Sequence, residues 1–263
     1  MPAARAELTL TAGCALLGTG CREQELDDGR MRLEFWVSPA RADAAAAQLN
    51  AVVAKIPGAA CERAEEDPGW QTAMRSFHQP VDVDGRLRVR PPWHDPREGP
   101  IDIVIDPAMA FGTGQHDTTR GCLELLLQVA PAPVIDIGCG SGVLAIAAAK
   151  LGFAPVWAWD LDPLAVEATT ANAAVNQVAL VIGERDALAA PIPGVAVILA
   201  NLTAPVLTAL AEALEGRPPQ SAILSGMRLD ELDPVCAAWT RIGMVPTDRR
   251  LGVEWCSVLL SRR

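Results

Sequence analysis

The stretch Val134-Ile-Asp-Ile-Gly-Cys-Gly-Ser-Gly142 leaves this chain few folds to choose from. An apolar, strand-like run carries an acid, Asp136, and opens into glycines at alternate positions; a helical run, Val143 to Leu151, follows at once. Glycines at such a turn let the backbone bend sharply and let a ligand come close to the first turn of the helix. A second strand, Pro155-Val-Trp-Ala-Trp159, also ends in an acid, Asp160. An acid at the tip of the second strand of a βαβ unit is placed to bind both hydroxyls of a ribose. A nucleoside-containing cofactor is the first inference.

Spacing argues for one cofactor over another. A dinucleotide fingerprint, G-x-G-x-x-G, would need glycine where Val143 stands. The pattern present is D-x-G-x-G-x-G, with Asp136 ahead of the turn. An anionic pyrophosphate gains little from a neighbouring carboxylate, whereas a cofactor carrying an ammonium and a sulfonium welcomes one. S-adenosylmethionine is therefore favoured over a nicotinamide dinucleotide.

Around this unit, strands and helices are expected to alternate: strand 133–137, helix 143–151, strand 155–160, helix 163–176, strands near 180–184 and 195–200, helix 205–215, strand 221–225 and helix 230–241. Two last strands, near 244–248 and 254–261, are close enough to pair as an antiparallel hairpin at a sheet edge. Such alternation predicts a mainly parallel sheet covered by helices on both faces. Asp162-Pro163 supplies an N-cap and a favoured first helical residue. Ligands of open α/β sheets bind at the carboxyl ends of the strands, where Asp136 to Gly142, Asp160 and Asn201 all fall.

At 263 residues and 50% hydrophobic composition the chain has material for one large α/β domain and a small extra one. Residues 1–60 read as a small α+β unit. Arg30 to Val37 has strand composition; Ser38-Pro39 then starts a helix with Ala42, Ala45, Ala46, Leu49, Val52, Val53 and Ile56 on one face, stopping at Pro57-Gly58. Residues 61–100, rich in Pro, Gly and charge, read as a connector with a short helix at Gln71 to Phe77 and a strand at Arg86 to Arg90. Residues 101–263 form the large domain.

The seven cysteines include no C-x-x-C pair and read as buried hydrophobes in a reducing compartment; with three scattered histidines, no metal centre is expected. No stretch is long and apolar enough to span a membrane. Thr11-Ala-Gly-Cys14 lacks the cationic start and apolar run of a cleaved leader. A cytoplasmic protein is expected. A net charge of −10 disfavours direct nucleic-acid binding and suits a basic partner.

Ahead of the sheet lies Asp106-Pro-Ala-Met-Ala-Phe-Gly-Thr-Gly-Gln-His-Asp-Thr-Thr119, followed by an apolar helix from Cys122 to Val129. Its small residues and backbone donors suit a loop folded over a ligand, with Thr119 near a helix N-terminus that would stabilise a carboxylate. The run Phe111 to Thr119, together with Asp136 to Ala147, Asp160-Leu-Asp-Pro163, Ala200-Asn-Leu202 and Leu224-Ser-Gly226, resembles the ribosomal protein L-eleven methyltransferase family from about Trp70 to the C-terminus. The resemblance implies a seven-stranded Rossmann-like class I methyltransferase domain. It also implies S-adenosyl-L-methionine as methyl donor and amino groups of ribosomal protein L-eleven as acceptors. Its cofactor contacts would fall on Thr119, Gly138, Asp160 and Asn201, and Asp136, Gly140, Phe111 and Gly112 are added as candidates from their place in the two glycine loops. Two departures stand out: residues 1–60 show no matching motif, and Ala108 stands where the family usually has glycine.

Methyl transfer to nitrogen is an in-line displacement, so the chain must supply position and a free lone pair. Freeing the lone pair of a lysine of pKa about 10.4 near pH 7.4 costs about 4 kcal/mol; an α-amino group of pKa about 7.7–8.0 costs about 0.4–0.8 kcal/mol, a tenth to a fifth of that. Asn201 is the candidate catalytic residue, because a neutral carbonyl can orient an amine without holding it as a cation. Asp186 is a candidate acceptor for the adenine amino group. Trp157 and Trp159 read as core, and His116 is given no proton-transfer role. Three alternatives stay open: a different protein substrate, a nicotinamide-dependent dehydrogenase, and a non-catalytic cofactor-binding protein.

Overall fold

The structure is a computed structural model, and it describes residues 21–25, 31–35, 37, 42–56, 59–62, 78–107 and 116–263. The expected helix at Gln71 to Phe77, the Ser38-Pro39 and Pro57-Gly58 boundaries, Phe111 and Gly112 lie outside the described residues. Two compact units divide at Trp70/Gln71.

In the smaller unit, β1 (Cys21–Glu25) pairs antiparallel with β2 (Met31–Phe35), and α1 spans Ala42–Val53. The helix was legible from its one apolar face. Ala45 is buried, Ala42, Ala46, Leu49, Val52 and Val53 are half-buried, and the residues between them are exposed. Strand β1 was not expected.

The larger unit opens with β3 (Val81–Val83), β4 (Leu87–Arg90) and β5 (Ile101–Val104), a three-stranded sheet in which β3 and β4 run antiparallel and β4 and β5 parallel. Within the stretch expected as a connector, Val83, Leu87 and Val89 are thus fully buried and join the core of this unit. Then follow α2 (Asp117–Leu126), β6 (Val134–Ile137), α3 (Val143–Lys150), β7 (Val156–Asp160), α4 (Pro163–Val175), β8 (Val181–Glu184), β9 (Val197–Asn201), α5 (Ala204–Ala213), β10 (Ser221–Arg228), α6 (Leu232–Arg241), β11 (Met244–Leu251) and β12 (Trp255–Arg262). The seven-stranded sheet has the order β11-β12-β10-β9-β6-β7-β8. Strands β8, β7, β6, β9 and β10 run parallel, and β12 lies antiparallel between β10 and β11. The expected edge hairpin is present, inserted so that its second strand meets the parallel block.

Alternation along the central strands sorts the core into two layers. Val134, Val197 and Leu199 pack with α2 and α3 on one face, while Ile135, Ile137, Ile198 and Ala200 pack with α5 and α6 on the other. A strand buried on both faces has no solvent side, so β6 and β9 read as near-continuous apolar runs. Trp157 and Trp159 belong to the second layer. Among the described residues no helix is long and apolar enough to cross a membrane.

Candidate active site

Three chain segments meet at the carboxyl edge of β6, β7 and β9. The first is the turn after β6. Helix α3 begins at Gly142 with no side-chain cap of its own. The acid at the end of the preceding strand takes that role: Asp136 Oδ2 accepts from Ala145 N at 3.1 Å, satisfying one of the first-turn N–H groups that a helix cannot pair internally. Sequence reasoning placed Asp136 beside a cationic ligand and did not foresee this bond. Its second oxygen, Oδ1, is buried and has no hydrogen-bond partner among the described residues. Burial pushes the Asp136 carboxyl up to about 7; the Ala145 bond opposes that rise, and the nearby Asp160 charge adds to it.

This shift carries a stability consequence. The folded pKa lies above the ordinary carboxylate value of 3.8, so between these two values the folded chain holds a proton that the unfolded chain has lost. Asp136 therefore subtracts stability progressively as pH rises through that window, and the loss is complete above about 7. The Asp136→Asn variant, which keeps an acceptor for Ala145, should lack this component. Urea midpoints of parent and variant at about pH 5 and pH 8 should diverge in the variant's favour at the higher pH. Parallel profiles would show that the buried carboxyl is ionised throughout.

The second segment is the end of β7. Asp160 Oδ2 accepts from Gly140 N at 2.9 Å and Oδ1 accepts from Asp162 N at 3.0 Å. Each oxygen serves one backbone donor, and an ionised carboxylate has about four acceptor positions, so capacity for further hydroxyl donors remains. Asp162 caps α4 through Leu164 N at 2.9 Å, as its Asp-Pro pair led us to expect. From α4, Thr169 donates to Gly140 O at 2.9 Å and Asn172 donates to Ser141 O at 2.9 Å, so the glycine turn is tied to α4 as well as to Asp160.

The third segment joins the end of β9 to α2. Asn201 Nδ2 donates to Thr118 Oγ1 at 3.2 Å and approaches Thr119 Oγ1 at 3.5 Å. Both threonines are buried in the first turn of α2, which starts at Asp117 with His116 as N-cap. The helix was expected from Cys122. The missed start had a readable signature, because His116-Asp-Thr-Thr119 is a polar cap ahead of an apolar run. Glu124 of α2 accepts from Arg250 Nε of β11 at 3.0 Å, which helps seat the helix on the sheet.

Thr119, Asp136, Gly138, Gly140 and Asn201 line one cleft together with Cys139, Val143 and Leu144. Asp160 reaches it through Gly140. Asp186 is exposed and accepts from Leu188 N at 2.9 Å; it is not among the wall residues. Burial pushes the Cys139 thiol up to about 12, so thiolate chemistry at this wall is disfavoured. Among the described residues no cluster of His, Cys, Asp and Glu is arranged to hold a metal ion.

A parallel sheet of this order, with one antiparallel strand near its edge and a glycine turn after its central strand, defines a Rossmann-like class I methyltransferase. The sequence profile of the ribosomal protein L11 methyltransferase family (PrmA) matches residues 20–263. The chain belongs to that family. It is 39% identical over 199 residues to the ribosomal protein L11 methyltransferase of Citrifermentans bemidjiense, covering 71% of this chain and 64% of the relative. With its counterpart from Synechococcus elongatus it shares 35% identity over 250 residues, covering 88% of this chain and 82% of the relative. The crystal structure of ribosomal protein L11 methylase from Lactobacillus delbrueckii subsp. bulgaricus superposes with a TM-score of 0.65 at 28% identity, over 71% of this chain and 100% of that one. The chain spans just under two thirds of the length of the first of these relatives.

Proposed function

We propose that this chain is an S-adenosylmethionine-dependent methyltransferase acting on amino groups of ribosomal protein L11, on lysine side chains, the N-terminal amine or both. The observation that carries the reading is the state of Asn201. Its Nδ2 is taken by two threonine hydroxyls, so the carbonyl oxygen is the end of the amide left to other partners in the cleft.

The residues present fit the methyl donor. Asp160 would bind the ribose hydroxyls, and the Gly138–Gly142 turn would let the donor approach α3. Thr119 would hold the donor's carboxylate at the first turn of α2. The orphaned Asp136 oxygen would favour a cation in the cleft. When bound, S-adenosylmethionine supplies an activated methyl group on a sulfonium. The chain's own contribution is geometric and electrostatic: Asn201 accepts an N–H of the incoming amine and orients its lone pair, without the negative charge that would keep the amine protonated.

Asn201→Asp tests that role. A carboxylate close to the amine would raise its pKa by about 1–3 units, so single-turnover transfer at neutral pH should fall by about tenfold or more. The defect should ease as pH rises towards 10, whereas Asn201→Ala should lose rate with little pH dependence. Equal pH profiles for parent and both variants would reduce Asn201 to a cofactor contact.

The substrate is tested separately. Purified protein with labelled methyl donor and ribosomal protein L11 should place label on L11 amines, located by peptide mass spectrometry. Label on another protein of a ribosome-containing extract, with L11 unlabelled, would sink the substrate assignment and leave the chemistry standing. No label anywhere would sink both.

A further inference from the structure

Thr118 accepts from Asn201 on one side and meets His116 on the other. His116 caps α2 with its ring edge-on to Trp255, the ring centroids 5.5 Å apart and the planes at 65°. That contact holds the imidazole so that Nδ1 meets Thr118 twice, at 2.7 Å from its Oγ1 and 3.4 Å from its backbone N. The same Thr118 Oγ1 lies 3.2 Å from Asn201 Nδ2. Thr118 is 2% exposed, so water has little access to compete for these bonds.

Hydrogen counting fixes the direction of the chain. The Asn201 NH₂ can only donate, so Thr118 Oγ1 accepts there. A hydroxyl has one hydrogen, and the backbone N–H of Thr118 already points at Nδ1 as an acceptor, so the hydroxyl hydrogen also goes to Nδ1. With Nδ1 accepting, the ring N–H is on Nε2. Turning the Asn201 amide over would present its oxygen to Thr118, which would have to withdraw its hydrogen from His116 to meet it. The short bond to Nδ1 would be lost. His116 thus biases the Asn201 amide through Thr118 and keeps its oxygen available in the cleft.

We propose that Thr118 is a positioning residue for the transfer step, holding the Asn201 amide in one orientation through a one-way chain of hydrogen bonds that ends on His116. The inference rests on the role given to Asn201 above and adds what sets it. A helix cap alone would predict lost stability in Thr118 variants; the relay predicts that loss of the hydroxyl is felt only through Asn201.

The test combines a double-mutant cycle with nitrogen NMR on the full chain. Thr118→Val should slow single-turnover methyl transfer to L11 about tenfold at saturating donor, as expected for a mis-set positioning group. The dissociation constant for S-adenosylmethionine should stay within about twofold. Thr118→Ser should restore the rate. In an Asn201→Ala background, Thr118→Val should cause no further loss, because neighbours in one network are not additive. Nitrogen-15 spectra should show the His116 proton on Nε2. Equal slowing by Thr118→Val in both backgrounds, or a His116 proton on Nδ1, would overturn the proposal. If Asn201→Ala itself runs at the parent rate, the reading of Asn201 fails instead, and the tautomer still decides the direction of the bonds.

Discussion

Replacing Asp160 with alanine should weaken S-adenosylmethionine binding by more than a hundredfold in a chain that remains folded. Bonds from hydroxyls to a charged acceptor are each worth about 1.5–3 kcal/mol, and a ribose offers two of them. Two such bonds amount to about 3 kcal/mol or more, against roughly 1.4 kcal/mol per tenfold in affinity. The variant loses more than the ligand's partners. Gly140 N and Asp162 N both rest on this carboxylate, at 2.9 and 3.0 Å, so the glycine turn and the start of α4 lose a shared anchor. Asp160→Asn is informative for the same reason, because one amide oxygen cannot serve both backbone donors as two carboxylate oxygens do; it should fall between parent and alanine. Calorimetric titration with S-adenosylmethionine, alongside a circular dichroism melt, separates binding from folding. A folded Asp160→Ala protein with the parent's dissociation constant would remove the ribose assignment and the main support for this donor.

How far the sequence reaches depends on whether the cause of a feature is local. Strands β6 and β9 were legible because the sheet buries both their faces, which writes an apolar run directly into the chain. Helix α4 was legible because its cap, Asp162-Pro163, is contiguous with it. Strands β3 and β5 were missed, since Val81-Asp-Val and Ile101-Asp-Ile-Val are short and become strands by pairing with β4. The position of Asp136 followed from the glycine motif, but its state did not. The raised pKa comes from burial by residues distant in sequence and from Asp160, and its bond to Ala145 appears only once α3 turns back over the strand. The relay from Asn201 to His116 likewise joins residues more than eighty positions apart.

The fit around Leu202 lies furthest beyond sequence reasoning, and it predicts the largest loss of stability. This leucine follows Asn201 and is pinched between two glycines from other parts of the chain. A Cβ on Gly138 would lie 2.4 Å from Leu202 Cδ2, and a Cβ on Gly226 would lie 2.6 Å from Leu202 O and 2.8 Å from Leu202 N. The Gly138 conflict is with the end of a flexible side chain. The Gly226 conflict is with backbone whose N–H is already bonded to Ser225 O at 2.9 Å. Gly226 also has φ +83°, in the left-handed region, which costs an L-residue about 1–2 kcal/mol. Forced displacement of packed backbone adds about 1–3 kcal/mol. Gly226→Ala should therefore lose about 2–5 kcal/mol, or roughly 5–20 °C in melting temperature for a domain of this size. Gly216→Ala is the control, because Gly216 has φ +78° and nothing within 4 Å of its added Cβ. It should lose only the conformational part and keep full methyl transfer. Gly226→Ala should also slow transfer at temperatures where it is folded, because moving Leu202 moves Asn201. Equal melting temperatures for the two variants would mean that the backbone contact at Leu202 relaxes freely, and that the position of Asn201 is set from α2 instead.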